Sequence, residues 1–574
     1  MHLKNNSQTK FIVVAGGVIS GVGKGIATAS IGKILQEYGY SVTAVKIDPY
    51  INCDAGTLRP TEHGEVWVTE DGGEIDQDLG NYERFFNQQI LKANNITTGQ
   101  VYKKIIEKER KGEFLGQTVQ FIPHVPDEIK SRVKESAKGF DICLVEIGGT
   151  IGDYENIPFL FAMKSLEREI GKENLIYILV TYLPVPGHIT EMKTKPTQQS
   201  MKMMMEVGIF PDFVLCRSKI AVDDVRKRKI ETYSNIRLDH IISAPDVDSI
   251  YQVPLNFEKE KLGLKILSQL CLKPKKKPEW TKWQKLVTSM LNPKFNIKVA
   301  MVCKYIDIGN FELTDAYVSI NEALKHASAY MTAKIKIDWI DAKKFENNKE
   351  ELKKLLSYNG IIVPGGFGNS GVEGKISAIK FAREHNIPFL GLCYGMQLAI
   401  VEFARNICKM QGANTTENDK KTHYPVIDIL EEQKKILANN LYGGTMRLGS
   451  YVAMLEPGSV VYKLYKERGR IEIDKKLIQS TEKFRLGLLD KSKPIVLERH
   501  RHRYEVNPKY IPMLERNNML FSGYHLLENN TKLIEFIELK HHKFFIATQS
   551  HPEFKSRFLS PAPLFLGFVR ACLE

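Results

Sequence analysis

The sequence predicts an α/β protein with two parallel-sheet domains. Short apolar strands rich in β-branched residues alternate with helical segments through both halves of the chain, which is the pattern of strand–helix–strand units. A proline- and lysine-rich stretch, Lys273–Pro278, separates the halves and is typical of a linker. A chain of 574 residues also exceeds what one hydrophobic core normally serves. We therefore place the first domain at 1–272, a linker at 273–296 and the second domain at 297–574.

Composition narrows the class of protein. The chain is 43% hydrophobic and 26% charged, as soluble globular proteins are. No segment approaches the roughly 20 apolar residues of a membrane span, and the polar segment Met1–Lys10 argues against a signal peptide. Eight cysteines without a C-x-x-C pair argue against zinc and disulfides, and they suit a reducing cytoplasm, where we expect the protein to act. The net charge of +14 comes without a nucleic-acid-binding motif, so we expect neither nucleic acid nor a membrane as a partner.

A glycine-rich loop between the first strand and the first helix predicts a phosphate site. The strand is expected at Phe11–Val14 and the helix at Ile26–Gly39. Backbone N–H groups and the helix dipole would face bound phosphates, and Lys24 would add a positive charge. The strict Walker pattern is absent, because the loop has one residue too many between its two key glycines and Gly25 replaces the magnesium-binding hydroxyl. An ordinary turn with an exposed lysine is the alternative.

Carboxylates follow other strands of the first half. We expect Asp141–Glu146 to be a strand, and the C-terminal tip of a parallel strand is where open α/β sheets bind ligands. Glu146 and Asp78 could therefore supply the Mg²⁺ ligands that the loop lacks. The stretch 49–81 is too acidic to be core, and a loop of this length is usually functional, although a merely solvated loop is the alternative. The other elements expected here are strands at 41–48, 175–180 and 213–216 and a helix at 82–112.

A short basic segment, Lys193–Gln198, lies between two of these strands. It combines two cations with several hydrogen-bonding groups. Taken by itself, this segment is expected to be an exposed turn.

The second half repeats the strand–turn–helix pattern with different chemistry. Strands are expected at 297–302, at the start of 360–368 and of 388–397, and at 544–548, after a helix at 280–291. Gly391-x-Cys393-x-Gly395 has the spacing of a nucleophile elbow, in which small residues permit a strained turn. The following helix N-terminus would stabilise a thiolate. A buried structural cysteine is the alternative.

A histidine and a carboxylate close to the C-terminus complete this chemistry. His551 follows an expected strand and could act as general base, while Glu553 could orient it. Gly365-Gly366 could supply an N–H group that stabilises an oxyanion. The three side chains together indicate a cysteine triad.

These motifs resemble a known family. The Gly-x-Cys-x-Gly elbow with His551-Pro-Glu553 is similar to class I (triad) glutamine amidotransferase domains, and the first half resembles the amidoligase domain of the CTP synthase family. The segments that carry the second resemblance are Gly16–Ser20, Gly23–Gly25, Lys46–Asn52, His63–Glu65, Thr69–Gly72, Val145–Thr150 and Lys193–Gln198, joined in the second half by Gly443–Gly449 and Glu498–Glu505. The match extends over nearly the whole chain.

The resemblance implies a fold and a reaction. It implies a P-loop-like (dethiobiotin synthetase-like) parallel-sheet domain followed by an α/β class I glutaminase domain. In the reaction, ATP phosphorylates the 4-oxygen of UTP, and ammonia from glutamine displaces the phosphate to give CTP. A protected passage for ammonia, activation by GTP, feedback inhibition by CTP, a homotetramer and filament formation are further family expectations.

The resemblance also assigns residues by position. ATP would contact Gly21, Val22, Gly23, Lys24, Gly25, Ile26, Lys46, Asp78, Pro245, Asp246 and Val247, and Mg²⁺ would be held by Asp78 and Glu146. UTP or the product CTP would contact Ser20, Asp153, Tyr154, Glu155, Lys193, Thr194, Lys195, Pro196, Thr197, Gln198 and Lys229. Glutamine would contact Gly366, Tyr394, Gly395, Met396, Gln397, Glu417 and Arg503, next to the triad Cys393, His551 and Glu553.

Two departures from the family and three rivals remain. Gly21 stands where many bacterial relatives have serine, and the lysine-rich segment Tyr462–Lys493 is expected to be a surface insertion. Another ATP-dependent amidotransferase, of the cobyric acid synthase type, is the nearest rival, and the uridine-site residues argue against it. An inactive nucleotide-sensing or filament-forming relative would have lost triad or phosphate-site residues that are present here. A nucleic-acid-binding role rests on charge alone.

Overall fold

The protein divides into two compact units. A computed structural model describes residues 8–58, 64–187, 191–304, 314–346, 348–366, 368–429, 446–490 and 492–574. Among these, residues 8–58 and 74–288 form the first unit, and residues 64–73 and 289–574 form the second. His63 and Gly443–Thr445, which carry part of the family resemblance, lie outside the described residues.

The first unit is built on a seven-stranded parallel sheet. Its strands are β1 (Lys10–Gly16), β2 (Val42–Asp48), β5 (Asn95–Thr97), β6 (Ile142–Ile147), β7 (Leu175–Tyr182), β8 (Phe213–Ser218) and β9 (Ile241–Pro245), while β3 (Val66–Val68) and β4 (Glu74–Asp76) lie outside it. The strand order is β5-β2-β6-β1-β7-β8-β9. The strands are near-continuous apolar runs because helices cover both faces of such a sheet.

Helices lie between these strands and after the last of them. They are α1 (Lys24–Glu37), α2 (Asp78–Phe86), α3 (Thr98–Arg110), α4 (Phe121–Ala137), α5 (Ile157–Ile170), α6 (Lys195–Glu206), α7 (Asp224–Ser234), α8 (Val253–Lys259), α9 (Leu262–Gln269) and α10 (Thr281–Leu291). Every strand predicted in the first half is present, and the predicted α/β class is confirmed.

The helix predicted at 82–112 is wrong as a single element. α2 ends at Phe86, the short edge strand β5 follows, and α3 begins at Thr98. Tertiary contacts override helix propensity here: Ile96 pairs with Ile47 of β2, and the buried Asn94 amide donates to the Ala44 carbonyl at 2.8 Å. The Thr97 hydroxyl then caps α3 by accepting from the backbone N–H of Gln100.

The second unit contains a nine-stranded mixed sheet. Its strands are β10 (Phe295–Cys303), β11 (Ala333–Asp341), β12 (Gly360–Val363), β13 (Phe389–Leu392), β16 (Arg447–Leu455), β17 (Ile495–His502), β19 (Met519–Leu526), β20 (Lys532–Leu539) and β21 (Phe545–Thr548). Their order is β11-β10-β12-β13-β21-β20-β19-β16-β17, parallel from β11 to β21 and antiparallel from there on. A smaller sheet joins β14 (Asn414–Thr415), β15 (Pro425–Asp428) and β18 (Glu505–Val506).

Helices pack on both faces of the nine-stranded sheet. They are α11 (Val318–Met331), α12 (Lys349–Lys353), α13 (Val372–Glu384), α14 (Tyr394–Asn406), α15 (Val460–Glu467), α16 (Arg470–Leu477), α17 (Lys483–Leu486), α18 (Ile511–Arg516) and α19 (Pro563–Leu573). The strands and the helix predicted for the second half are all present. Among the residues described, none of the helices combines the length and the apolar character that a membrane span requires.

One expectation about surface segments is wrong, and another holds only for the outer face of its segment. Part of the acidic stretch 49–81 is core, since Val66–Thr69 is buried in the second unit and the Glu70 carboxylate is paired with cations there. The segment Tyr462–Lys493 is likewise not a simple surface insertion. Its inner face is buried, because Tyr465 donates to Glu498 at 2.8 Å and Arg470 pairs with Glu498 at 3.3 Å. Hydropathy misses such segments because their buried charges are neutralised by partners far away in sequence.

Candidate active sites

Cys393 lies at the strained turn between β13 and α14. Its φ of 50° and ψ of −102° place this non-glycine residue in a region that side chains avoid, and its N–H donates to the Thr548 carbonyl at 2.7 Å. The two flanking residues must be glycine because a Cβ atom at either position would clash with neighbouring atoms. A Cβ on Gly395 would lie 2.1 Å from the Val363 carbonyl oxygen, and one on Gly391 would lie 2.8 Å from the Ala547 Cβ. The turn therefore has the backbone geometry and the steric limits of a nucleophile elbow.

His551 and Glu553 stand beside this elbow. The His551 Nδ1 and the Glu553 Oε1 are 2.7 Å apart, and a Cβ on Gly365 would lie 3.0 Å from the His551 ring and 3.7 Å from the Cys393 Cβ. Burial by itself lowers the pKa of His551, but Glu553 and the Cys393 side chain outweigh burial and raise that pKa to about 10. The raised pKa favours the protonated His551 ring, which can form an ion pair with a thiolate. The structure brings the three predicted triad side chains together.

The predicted glutamine contacts near the elbow fall into two groups: some could use their side chains, and others could use only their backbone. The Tyr394 hydroxyl donates to the Asn418 side chain at 2.9 Å, and Glu417 accepts from the Gly368 N–H at 2.9 Å. Burial raises the pKa of Glu417, while the Gly368 N–H and nearby cations, Arg503 among them, oppose that rise. The Met396 and Gln397 side chains are buried, and Gln397 donates to the Tyr504 carbonyl. Any contact of these last two residues with glutamine would therefore use their backbone, as would one made by Gly366 or Gly395.

The glycine loop of the first unit has the geometry of a phosphate site. Gly21 and Gly23 have φ values of 70° and 90°, so the loop uses the left-handed conformations that glycine adopts at least cost. Lys24 opens α1, and its Nζ donates to the Gly149 carbonyl at 2.6 Å. Burial lowers the pKa of Lys24, and the Glu146 carboxylate opposes that shift. A Cβ on Gly25 would lie 3.1 Å from the Asp78 carboxylate, so glycine leaves room for that side chain.

The two predicted magnesium ligands belong to one cluster of charges. Lys46 Nζ lies 2.8 Å from Asp78 Oδ2 and 2.7 Å from Asp76 Oδ1. The buried Tyr82 hydroxyl donates to Glu146 Oε2. Burial, and then the nearby Asp78 charge, raise the pKa of Glu146 to about 7, which is the response of a buried carboxylate close to another carboxylate.

This donor set suits Mg²⁺ bound together with a polyphosphate. Each of the two carboxylates keeps a second oxygen beyond the one that its protein partner contacts, and Mg²⁺ usually takes one or two carboxylates plus phosphate and water. Over the described part of the chain, no group of three or more His, Cys, Asp or Glu side chains forms a metal site by itself. The residues present therefore fit a metal that arrives with its nucleotide.

A cavity of about 200 Å³ adjoins the glycine loop. It is lined by Gly23, Ile26, Ala27, Arg217, Ala244, Pro245, Asp246, Val247, Ile250, Val253, Asn256 and Phe257. Two segments predicted to bind ATP, the loop and 245–247, thus meet at one concave surface. Arg217 pairs with Asp246 at 2.7 Å at the end of β8. Arg217 was not among the predicted site residues, although its position directly after a predicted strand is a usable signal.

The predicted uridine residues lie on four segments, of which Lys229 occupies α7 and the other three meet through α6. Lys193–Gln198 is not an exposed turn, because α6 begins at Lys195 and the Thr197 hydroxyl contacts Thr181 at 3.2 Å in the core. The Val18 N–H donates to the Ser200 hydroxyl of α6, close to Ser20. A Cβ on Gly152 would lie 2.4 Å from the Met203 Cε, which brings the loop carrying Asp153 against α6 as well.

Other predicted uridine residues differ in their surroundings. Asp153 accepts from the Thr150 hydroxyl at 2.8 Å, which orders its loop. Tyr154 is 87% exposed, and Ser20, Glu155 and Lys229 are exposed too. Lys193 pairs with Glu191, and Lys195 lies over the Tyr233 ring. Gln198 donates to Thr194, and Pro196 takes the second position of α6. These side chains form an open, polar surface.

Comparison with known proteins decides the family. The model of the CTP synthase N-terminus matches residues 10–272, and that of class I glutamine amidotransferases matches residues 312–571. A CTP synthase of Methanocaldococcus jannaschii is 49% identical over 98% of both chains, and one of Saccharolobus solfataricus is 49% identical over 98% of this chain and 99% of its own. This chain belongs to the CTP synthase family.

Solved structures include a further relative from the CTP synthase family. The Trypanosoma brucei CTPS glutaminase domain with bound acivicin is 32% identical and aligns with 48% of this chain and 94% of that domain, with a TM-score of 0.41. The structure also gives three of the predicted site residues partners that were not predicted from the sequence. Lys46 donates to Asp76, Tyr82 donates to Glu146, and Gln549 donates to Cys393. None of the three new partners stands in a chemical motif by itself.

Proposed function

We propose that this protein aminates UTP to CTP, using ATP and ammonia from glutamine hydrolysis, in pyrimidine nucleotide biosynthesis. The observation that carries the proposal is that one chain of the CTP synthase family holds both a complete cysteine triad and a glycine-loop site with its lysines and carboxylates. The proposed domains are an amidoligase at 1–272, a linker at 273–296 and a glutaminase at 297–574.

The glutaminase half works by covalent catalysis. The Cys393 thiolate attacks the side-chain amide carbon of glutamine, and the N–H groups around Gly365-Gly366 face the oxyanion that forms. His551 holds the thiol proton and passes it to the departing nitrogen, which leaves as ammonia. Water then attacks the thioester, gives its proton to His551, and releases glutamate and the thiol. Glu553 holds the His551 ring in the tautomer that these transfers require.

The amidoligase half positions charge around a transferring phosphate. Lys24 and Lys46 face the phosphates of ATP, and the cavity beside Pro245–Val247 accepts its adenine. Mg²⁺, held by Asp78 and Glu146, supplies neutralisation of phosphate charge when it is bound. Residues on α6 and its neighbouring loops orient the uridine ring so that its 4-oxygen receives the phosphate. Ammonia then attacks carbon 4, and inorganic phosphate leaves.

Regulation and assembly complete the proposal. GTP is the proposed activator, and CTP competes at the surface formed by Ser20, Asp153–Glu155 and Lys193–Gln198. We also propose a cytoplasmic homotetramer that is able to form filaments. These properties are carried over from the family.

The decisive experiment measures CTP formation from UTP, ATP and Mg²⁺ with two nitrogen sources. The unaltered protein is expected to use both glutamine and ammonium chloride. The Cys393→Ala variant is expected to keep the ammonia-dependent rate within about twofold. Its glutamine-dependent rate is expected to fall at least about 1,000-fold, because only glutamine hydrolysis needs the thiol.

Two outcomes would contradict the proposal. If neither nitrogen source yields CTP while glutamine is hydrolysed, the acceptor is not UTP, and the cobyric acid synthase type of amidotransferase gains support. If Cys393→Ala retains glutamine-dependent CTP formation, the triad assignment fails.

A further inference from the structure

Val66–Glu70 belongs by sequence to the amidoligase half but packs in the second unit, against the elements that hold His551. Trp67 is fully buried, and its ring lies 5.2 Å from that of Phe554 at an angle of 62°. Phe554 in turn stacks on His551, with the ring centres 5.1 Å apart and 24° between the planes. Two successive aromatic contacts therefore join Trp67 to the imidazole of the proposed general base.

A second path runs through Arg499 of β17. The Arg499 carbonyl accepts the backbone N–H of His551 at 2.7 Å. Its fully buried guanidinium contacts Glu70 Oε1 at 3.1 Å and donates to the Val68 carbonyl at 3.0 Å and to the Phe554 carbonyl at 3.3 Å. The same residue thus binds the segment 66–70 with its side chain and His551 with its backbone.

Lys555 is the third charged member of this cluster. Its Nζ lies 3.2 Å from Glu70 Oε1 and donates to the Leu497 carbonyl at 2.8 Å. Burial would raise the pKa of Glu70, but Lys555 and Arg499 outweigh burial and hold that pKa well below its usual range. Glu70 is consequently an anion that holds two cations, one on β17 and one at the end of the short helix Pro552–Lys555 that follows His551.

Packing alone does not require this arrangement. Apolar residues of similar volume usually stabilise a core at least as well as a buried ion cluster, so charge here favours a specific geometry over raw stability. The cluster is linked to His551 twice: the Arg499 carbonyl accepts the His551 backbone N–H, and Lys555 lies four residues after His551 in the chain. A displacement of about 1 Å at a catalytic group can lower a rate about 100-fold.

We propose that Glu70, Trp67 and Arg499 are positioning residues for His551, so that a segment 429 positions away from Arg499 in the chain sets the glutaminase geometry. This inference rests on the proposed glutaminase activity. According to this inference, Trp67 and Glu70, which belong by sequence to the amidoligase half, help to hold the triad histidine in place.

The test is the isosteric variant Glu70→Gln in the full chain. Glutamine hydrolysis is expected to lose about 10- to 100-fold in kcat with KM within about twofold, because His551 shifts while the surface that binds glutamine does not. Ammonia-dependent CTP formation by the same preparation is expected to stay within about twofold, since that reaction does not use His551.

A second readout reports on the Cys393–His551 pair directly. Alkylation of Cys393 by iodoacetamide is followed between pH 5 and 10, with the signal of a Cys393→Ala protein subtracted. Glu70→Gln is expected to slow alkylation by about fivefold or more near pH 7, because a displaced imidazolium stabilises the thiolate less. A purely structural role for Glu70 would leave this profile unchanged.

Asp71→Asn is the matched control. It makes the same acid-to-amide change one residue further on, where the carboxylate contacts the Thr69 hydroxyl at 2.5 Å. Both rates are expected within about twofold of the unaltered protein. If Glu70→Gln does not fold, Trp67→Phe carries the test, with an expected fall of about three- to tenfold in kcat for glutamine alone.

Three results would overturn the inference. These are an unchanged glutaminase rate in Glu70→Gln, an equal fall in the glutamine- and ammonia-dependent rates, and an equal effect of Asp71→Asn. Absence of glutamine hydrolysis by the unaltered protein would instead contradict the proposed function.

Discussion

Burial acts on proton affinity in opposite directions at the two sites, and specific partners decide the result. At His551, burial lowers the pKa, but Glu553 and Cys393 raise it to about 10. At Glu146, burial and the Asp78 charge act together and raise the pKa to about 7. The glutaminase site therefore favours the imidazolium form of His551. The phosphate site favours binding of a cation that neutralises the neighbouring carboxylates of Glu146 and Asp78.

The pH dependence of glutamine hydrolysis follows from the His551–Glu553 contact. Because Glu553 raises the pKa of His551, the charged imidazolium persists up to about pH 10 and is lost above it. Glu553→Gln is expected to move the alkaline limb of the kcat/KM profile for glutamine to lower pH and to reduce its maximum by about 100-fold or more. The check is a profile between pH 6 and 11, with ammonia-dependent CTP formation as the control. An alkaline limb at the same pH in both proteins would contradict this role of Glu553.

Among the elements, the turn between β13 and α14 is tightly constrained by space. Cys393 is held at a φ of 50° by its N–H bond to Thr548 and by the close approach of α14 to β12. Only residues without a Cβ fit at the two flanking glycines. The motif is thus a consequence of steric exclusion, which is why it can be recognised in a sequence.

Gly395→Ala tests this constraint. The added Cβ would lie 2.1 Å from the Val363 carbonyl oxygen, so the backbone must move. We expect a loss of about 3 kcal/mol in the free energy of unfolding and loss of glutamine hydrolysis, measured by urea denaturation and by glutamate release. Gly187→Ala is the control, since nothing lies within 4 Å of its added Cβ. Equal stabilities for the two variants would show that the elbow tolerates a side chain.

At the scale of the whole molecule, chain order and compact unit do not coincide. Residues 64–73 belong to the second unit, although the residues described on both sides of them belong to the first. A cut within the predicted linker 273–296 would therefore remove Trp67 and Glu70 from the core that they complete. The isolated glutaminase sequence lacks part of its own interior.

This consequence is measurable. Two chains are compared: residues 289–574 alone, and the same residues joined to residues 64–73 through a flexible linker of about 30 residues. The shorter chain is expected to unfold at a lower urea concentration. The expected difference is about 3–5 kcal/mol, the usual cost of losing one buried tryptophan. The same fusion with Trp67→Ala serves as the control and should match the shorter chain. Equal midpoints for the fused and shorter chains would contradict the assignment of 64–73 to the second unit.

The sequence alone determined the α/β class and those strands that were predicted from apolar runs, and it placed the elbow motif and the candidate triad and phosphate-site side chains close to the ends of such strands. These follow from local rules: strand periodicity, glycine where no Cβ fits, and carboxylates at strand tips. Tertiary structure alone decided the break of 82–112 by an edge strand, the burial of 64–70 and the inner face of 462–493. In each case a polar segment is buried because its partner lies far along the chain: Asn94 meets Ala44, Glu70 meets Arg499, and Tyr465 meets Glu498. No local pattern encodes a pairing between distant residues, and burial of polar groups depends on such pairings.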